Sequence, residues 1–219
     1  MTESMTTSPI PAPAGDRAST ANSRGRPRVS RKREALVTTA MRLFYGEGYH
    51  AVGIDRILEE AKVSKPTLYA HFKSKDELIV AALRKRDEEA REHSYESILQ
   101  FSDDPRERLL YLFDLLGQWV EQPDFKGCLF INASAEFASH DNPVHQAAAE
   151  HKRAYRTMIA EQAALAGAID PQALADRLMI VVDGLIVTCQ VNPSAQAIQA
   201  AKETAAMLVD ASLPRMSAA

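Results

Sequence analysis

Between Ile54 and Leu78 four local signals fall in one register, and together they leave little room for anything but short helices joined by tight turns. Ile54, Ile57, Leu58 and Ala61 repeat at the i, i+3, i+4, i+7 spacing of one helical face. Lys62 and Val63 form a brief link. Ser64 is positioned to cap a further helix, with Pro66 in its first turn, where a missing N–H costs nothing. Ser74 stands three residues before Glu77, the spacing of a capping box, and opens a longer helix through Leu78, Ala82 and the charged residues 84–92, which should bridge two domains. Upstream, Leu36, Val37, Ala40, Leu43 and Phe44 share one face of a helix that begins near Arg31, and Gly46 and Gly48 end it.

On the helix after Ser64, Leu68 and Phe72 point inward. Lys65, Thr67, Tyr69 and His71 then face largely outward, an unusual hydrogen-bonding capacity for so short a helix. Two short helices joined by a three- or four-residue turn, the second polar on its outer side, meet the description of a helix-turn-helix. Charge agrees with that reading. Residues 1–86 carry 16 Lys and Arg against 9 Asp and Glu, a net of +7, while residues 87–219 carry 10 against 20, a net of -10. A basic first part suits a polyanion, and an acidic second part suits a different task.

The chain begins with residues 1–23, rich in Ser, Thr, Pro and Ala and nearly without apolar side chains, which reads as a disordered tail. Arg24, Arg26, Arg28, Arg31, Lys32 and Arg33 follow within ten residues, with no acid among them and with Gly25 and Pro27 opposing an early helix. This is a basic arm leading into the first helix. No segment alternates as a strand, and capping side chains before prolines recur at Asp104, Asn142, Asp170 and Asn192. The expected fold is all-α with about nine helices, divided into the tail, an arm and helix-turn-helix domain over residues 24–80, and a helical domain over residues 81–219.

Residues 35–61 (ALVTTAMRLFYGEGYHAVGIDRILEEA) followed by residues 63–78 (VSKPTLYAHFKSKDEL) resemble the DNA-binding domain of the TetR family of bacterial transcriptional regulators. The resemblance is dense over residues 31–80 and looser beyond, where helical layout and length match. It implies double-stranded operator DNA as partner, with Lys65 and Thr67 approaching base edges and Pro66 contacting a thymine methyl. Ser64 belongs to the same turn. Tyr69 and Lys73 would grip phosphates, His71 could serve either purpose, Lys75 would mark a phosphate site, and Arg26, Arg28 and Arg31 would reach the backbone or minor groove. Three positions depart from the family pattern: Gly53 stands for a capping Ser or Thr, Leu58 for Ala, and Lys62 for a turn Gly. Lys62 would cost about 1 kcal/mol if its φ is positive.

The resemblance further implies a homodimer, a small-molecule effector and, as the family default, repression. The last two helices are apolar beyond one core-facing stripe, at Leu174, Leu178, Val181, Val182, Leu185 and Ile186, with Gly184 allowing close approach, as a two-fold four-helix interface requires. Candidate effector contacts are Tyr111, Trp119, Phe125, Cys128, Phe130, Phe137, Tyr155, Met158 and Met179, of which a helical bundle needs most for packing. Cys128, at a helix start beside Lys126, also fits a thiol sensor, against the plainer reading of a buried packing residue.

Enzyme classes find no motif here: no G-x-S-x-G, no Walker loop, no H-E-x-x-H. His140, His145 and His151 are spaced five and six apart and do not stack on one helical face, so neither a metal nor any cofactor is expected. The longest apolar stretch, residues 178–187, is interrupted by Asp183 and is too short to span a membrane. With two cysteines and no leader pattern, a cytoplasmic protein is the expectation. The competing classes are a helical small-molecule-binding or thiol-sensing protein whose DNA binding is incidental, and a nonspecific DNA binder.

Overall fold

Burial follows the apolar periodicity read from the sequence. Leu36, Val37, Ala40, Leu43 and Phe44 lie inside, as do Ile57, Leu58, Leu68 and Phe72. The computed structural model describes residues 30–214, and the expected tail, Arg26 and Arg28 lie outside the described residues. Among these, all regular structure is helical: α1 (Arg31–Glu47), α2 (Ile54–Ala61), α3 (Lys65–His71), α4 (Lys75–Phe101), α5 (Pro105–Val120), α6 (Leu129–Glu136), α7 (Pro143–Leu165), α8 (Pro171–Val191) and α9 (Ala195–Ser212).

The described chain divides into two compact units. One holds residues 30–88 with Leu129–Glu150, and within it α1, α2 and α3 pack against one another. The α2–α3 turn closes by the route that a left-handed residue allows. Lys62 has φ 53° and ψ 44°, its N–H donates to the Glu59 carbonyl, and the Val63 N–H donates to the Leu58 carbonyl at 3.1 Å. The positive φ expected to make Lys62 costly is therefore present, and among the described residues no other non-glycine shares it.

The second unit holds Glu89–Cys128 and residues 151–214, with α5, α8 and α9 in mutual contact. Gly117 makes the α5–α9 approach possible, because a Cβ there would sit 2.9 Å from Ile198 Cγ2. Arg106 with Asp210 and Lys202 with Asp114 join the same helices at their surface, at 2.6 and 2.7 Å. Inside the unit, the Tyr155 hydroxyl meets Ser94 Oγ at 2.7 Å, satisfying two buried polar groups across α4 and α7.

The helix starts confirm three of the four cap readings and correct one. Asp104 accepts from Arg106 N–H, Asn142 from Val144 N–H and Asp170 from Ala173 N–H. Asn192 instead ends α8, and Ser194 caps α9 by accepting from Ala197 N–H, so that helix begins two residues later than Pro193 suggested. Ser64 also behaves differently: it occupies the N-cap position without a side-chain cap bond, its Oγ lying 2.9 Å from Thr67 Oγ1.

Candidate nucleic-acid interface

The exposed face of α3 follows directly from where Leu68 and Phe72 are anchored. Both are buried, so the intervening residues are turned out. Ser64, Lys65, Pro66 and Tyr69 are exposed, Tyr69 to 50%, while Thr67 and His71 are half-buried. Lys73 is exposed beyond the helix end, and Arg31 is exposed at the start of α1. All of these residues belong to the unit that holds α1, α2 and α3. Lys65 Nζ also reaches Asp55 Oδ1 of α2 at 3.2 Å, a pairing ten residues apart that no helical spacing announces.

Helix α4 starts with a displaced version of the expected capping box. Ser74 Oγ accepts from Glu77 N–H at 3.2 Å, but the Glu77 carboxylate reaches back to Lys73 N–H, at 2.7 Å. Lys75 is half-buried, and that burial pushes its ammonium below the usual value against the opposing pull of Glu136 and Asp76. On the α1–α2 surface, Glu60 accepts from both Arg56 and Arg42, which hold its carboxyl below the usual range.

A feature invisible to sequence reading fixes the approach to α2. The Glu136 carboxylate, from the end of α6, accepts from Tyr49 N–H at 2.8 Å and from His50 N–H at 2.7 Å, and lies 2.7 Å from His50 Nδ1. Gly48, at φ +89°, is the residue that lets the chain turn there; a Cβ on it would meet Glu136 Oε1 at 3.1 Å. Tyr49 is fully buried, stacks on Phe44 at 5.2 Å and donates its hydroxyl hydrogen to the Leu129 carbonyl. Although burial raises the Glu136 pKa, the two amide donors and His50 outweigh it and leave the carboxyl below its usual value.

The expected effector contacts are drawn from both units. Phe130 and Phe137 belong to the unit with α1–α3, where Phe137 lies against Tyr49 and His50. In the other unit, Trp119 and Phe125 meet edge to face at 5.0 Å, and Cys128, Tyr155, Met158 and Met179 are buried. Tyr111 stacks on Phe101 at 3.8 Å and helps line a cavity of about 220 Å³ with His93, Ser97, Gln100, Leu115 and Gln118. A larger groove of about 900 Å³ beside α1 and α4 is walled by charges such as Arg33, Glu34, Asp76 and Arg84, a poor lining for an apolar ligand. His140 and His145 pair with each other at 2.9 Å, and His145 Nδ1 faces the Phe137 carbonyl.

Comparison with known proteins agrees with this geometry. Residues 36–82 match the family model described as bacterial regulatory proteins, tetR family, and residues 105–205 match that described as tetracyclin repressor-like, C-terminal domain. The crystal structure of SCO4454, a TetR-family transcriptional regulator from Streptomyces coelicolor, is 30% identical, covers 84% of this chain and 97% of its own, and superposes with a TM-score of 0.77. The reduced form of NemR from E. coli superposes with a TM-score of 0.75 at 19% identity, over 85% of this chain and 99% of its own, a likeness of fold. The transcriptional activator FasR of Mycolicibacterium smegmatis is 48% identical over 59 residues, which is 27% of this chain and only 26% of FasR.

Proposed function

We propose, from the premise that this chain belongs to the TetR family of bacterial transcriptional regulators, that it is a homodimeric repressor which leaves a palindromic operator when a small molecule binds it. The observation that carries the DNA-reading part is the outward polar face of α3 on a packed three-helix unit. Its N-terminal residues, Lys65, Pro66 and Thr67, enter the major groove, with Ser64 beside them. Tyr69, Lys73 and Lys75 contact phosphates, His71 lies at the groove edge, and Arg31, Arg26 and Arg28 extend the backbone contacts. The DNA-binding part is residues 24–80, and effector binding and dimerisation belong to residues 81–219.

Dimerisation through α8 and α9 is supported by a stripe that one chain does not cover. It lies on other residues than the sequence pattern suggested, because Leu174, Leu178, Val182, Leu185 and Ile186 are buried in the chain's own core. Ile180, Val187 and Val191 are exposed, to 73%, 43% and 81%, and Met207 of α9 to 64%. Gly184 falls in the same stripe, and a Cβ there would meet nothing within 4 Å in its own chain. Positions 180, 184, 187 and 191 follow the i, i+4, i+7, i+11 seam of a helix pair, and a two-fold axis through it makes the patch self-complementary. Two recognition helices on such a dimer read successive major grooves about 34–36 Å apart, which requires a palindrome.

The effector reading is supported by the Tyr111-lined cavity and by Gln162, whose buried Oε1 has no hydrogen-bond partner. Repression is proposed as the family default: the transcriptional repressor NemR of E. coli is 30% identical over 105 residues, 48% of this chain and 53% of NemR, while FasR is an activator. No helix among the described residues is long and apolar enough to cross a membrane, and a cytoplasmic regulator has access to its DNA. The test is selection of bound duplexes from a randomised library at near-physiological salt. A palindrome whose affinity falls steeply with salt is expected, and effectors are then screened by release. Retention without sequence preference refutes the specific regulator, and promoter stimulation by the bound protein refutes repression.

A further inference from the structure

The ion pair between Lys65 and Asp55 joins the first residue of α3 to the first turn of α2, at 3.2 Å, with both side chains open to solvent at 57% and 85%. Such a pair adds little to stability, because water screens it and two side chains must be held in place. Nor does a carboxylate assist a surface that meets DNA, since it opposes phosphate attraction and weakens the sequence-independent part of binding. Its place beside Lys65 gives it a different use.

The ammonium offers three donors and the carboxylate only acceptors. With Nζ and Oδ1 3.2 Å apart, the pair presents donor and acceptor side by side at close to the separation of two hydrogen-bonded base-edge groups, about 2.9 Å. In the major groove a G·C pair shows N7 and O6 acceptors on guanine and an N4 amino donor on cytosine. A T·A pair shows the O4 acceptor on thymine and the N6 amino donor on adenine. We propose that Lys65 and Asp55 enter the groove as one unit that reads base-pair orientation, with the keto base under Lys65 and the amino base under Asp55. Guanine is preferred to thymine, because Lys65 can reach both O6 and N7 while still bonding Asp55, whereas thymine offers one acceptor and a methyl group. Asp55 is thereby a specificity-determining residue of α2, outside the recognition helix, and the inference rests on the DNA-binding reading above.

The test is library selection with the full chain in parallel for the wild type, Asp55→Ala, Asp55→Asn and the double exchange Asp55→Lys with Lys65→Asp, each checked for helical content and thermal unfolding. The wild type is expected to enrich a keto base, G above T, at one fixed place in each half-site. Asp55→Ala should lose about tenfold discrimination at that pair alone, while overall retention on random duplex rises because a negative charge is gone. Asp55→Asn, whose amide both donates and accepts, should narrow discrimination at that pair while Lys65, which can only donate, keeps the preference for a keto base beneath it. The double exchange should select the inverted pair. Asp55→Ala enriching the wild-type site unchanged at every position would overturn the proposal. A wild type that enriches no sequence would instead overturn the regulator reading, and the proposal with it, before any variant is compared.

Discussion

Glu136→Gln and Glu136→Ala probe the clasp on the chain between α1 and α2. The carboxylate receives two backbone N–H donors, Tyr49 and His50, and contacts the His50 ring, with its side chain 29% exposed. A hydrogen bond to a charged group contributes about 1.5–3 kcal/mol, and an orphaned buried donor costs about 1–3 kcal/mol. Because the site is partly open and water can replace some of this, truncation to Ala should destabilise by about 2–3 kcal/mol. Glutamine keeps one accepting oxygen and loses the charge, so it should cost about 1–2 kcal/mol. Since the folded carboxyl titrates below its ordinary value of 4.5, this stabilisation is complete above that value and disappears as pH falls through the lower folded pKa. The wild type and Glu136→Gln should therefore differ at pH 7 and converge well below pH 4.5. Urea unfolding followed by circular dichroism across pH measures the difference, and amide hydrogen exchange at Tyr49 and His50 localises it. A stability gap independent of pH, or unchanged exchange at those two amides in Glu136→Ala, would refute the reasoning.

Lys62→Gly relieves the left-handed strain at φ 53° but loosens the unfolded chain, and the balance should stabilise by about 0.5–1 kcal/mol in denaturant unfolding, whereas Lys62→Val should destabilise. Tyr155→Phe and Ser94→Ala each remove one side of the 2.7 Å bond between two buried hydroxyls, at a cost of about 1–2 kcal/mol; the double variant should cost less than their sum, which a double-mutant cycle measures. Ile180→Asp adds a charge to the exposed α8 stripe while leaving the monomer's core untouched. Sedimentation should show dissociation to monomer with helical content retained, and an unchanged dimer would exclude that face from the interface.

What the sequence carried was local. Apolar spacing, the caps at Asp104 and Asp170 and the proline in the first turn of α3 act within about one helical turn, so the helices and the outward face of α3 were legible from one chain. The start of α9 escaped because Asn192 and Ser194 are both competent caps flanking Pro193, and a proline tolerated in the first helical turn is equally tolerated just before it. Tertiary structure alone decided which distant groups meet. Glu136 lies 87 residues from Tyr49, and Ser94 lies 61 from Tyr155. Lys65 is separated from Asp55 by a turn whose left-handed closure sets their approach. The same holds for the aromatic residues of the second half, which have one composition whether they pack a core or line a cavity. Helical period is written in neighbouring residues, whereas a partner across the fold is set by how whole helices pack, and residue type alone does not encode that.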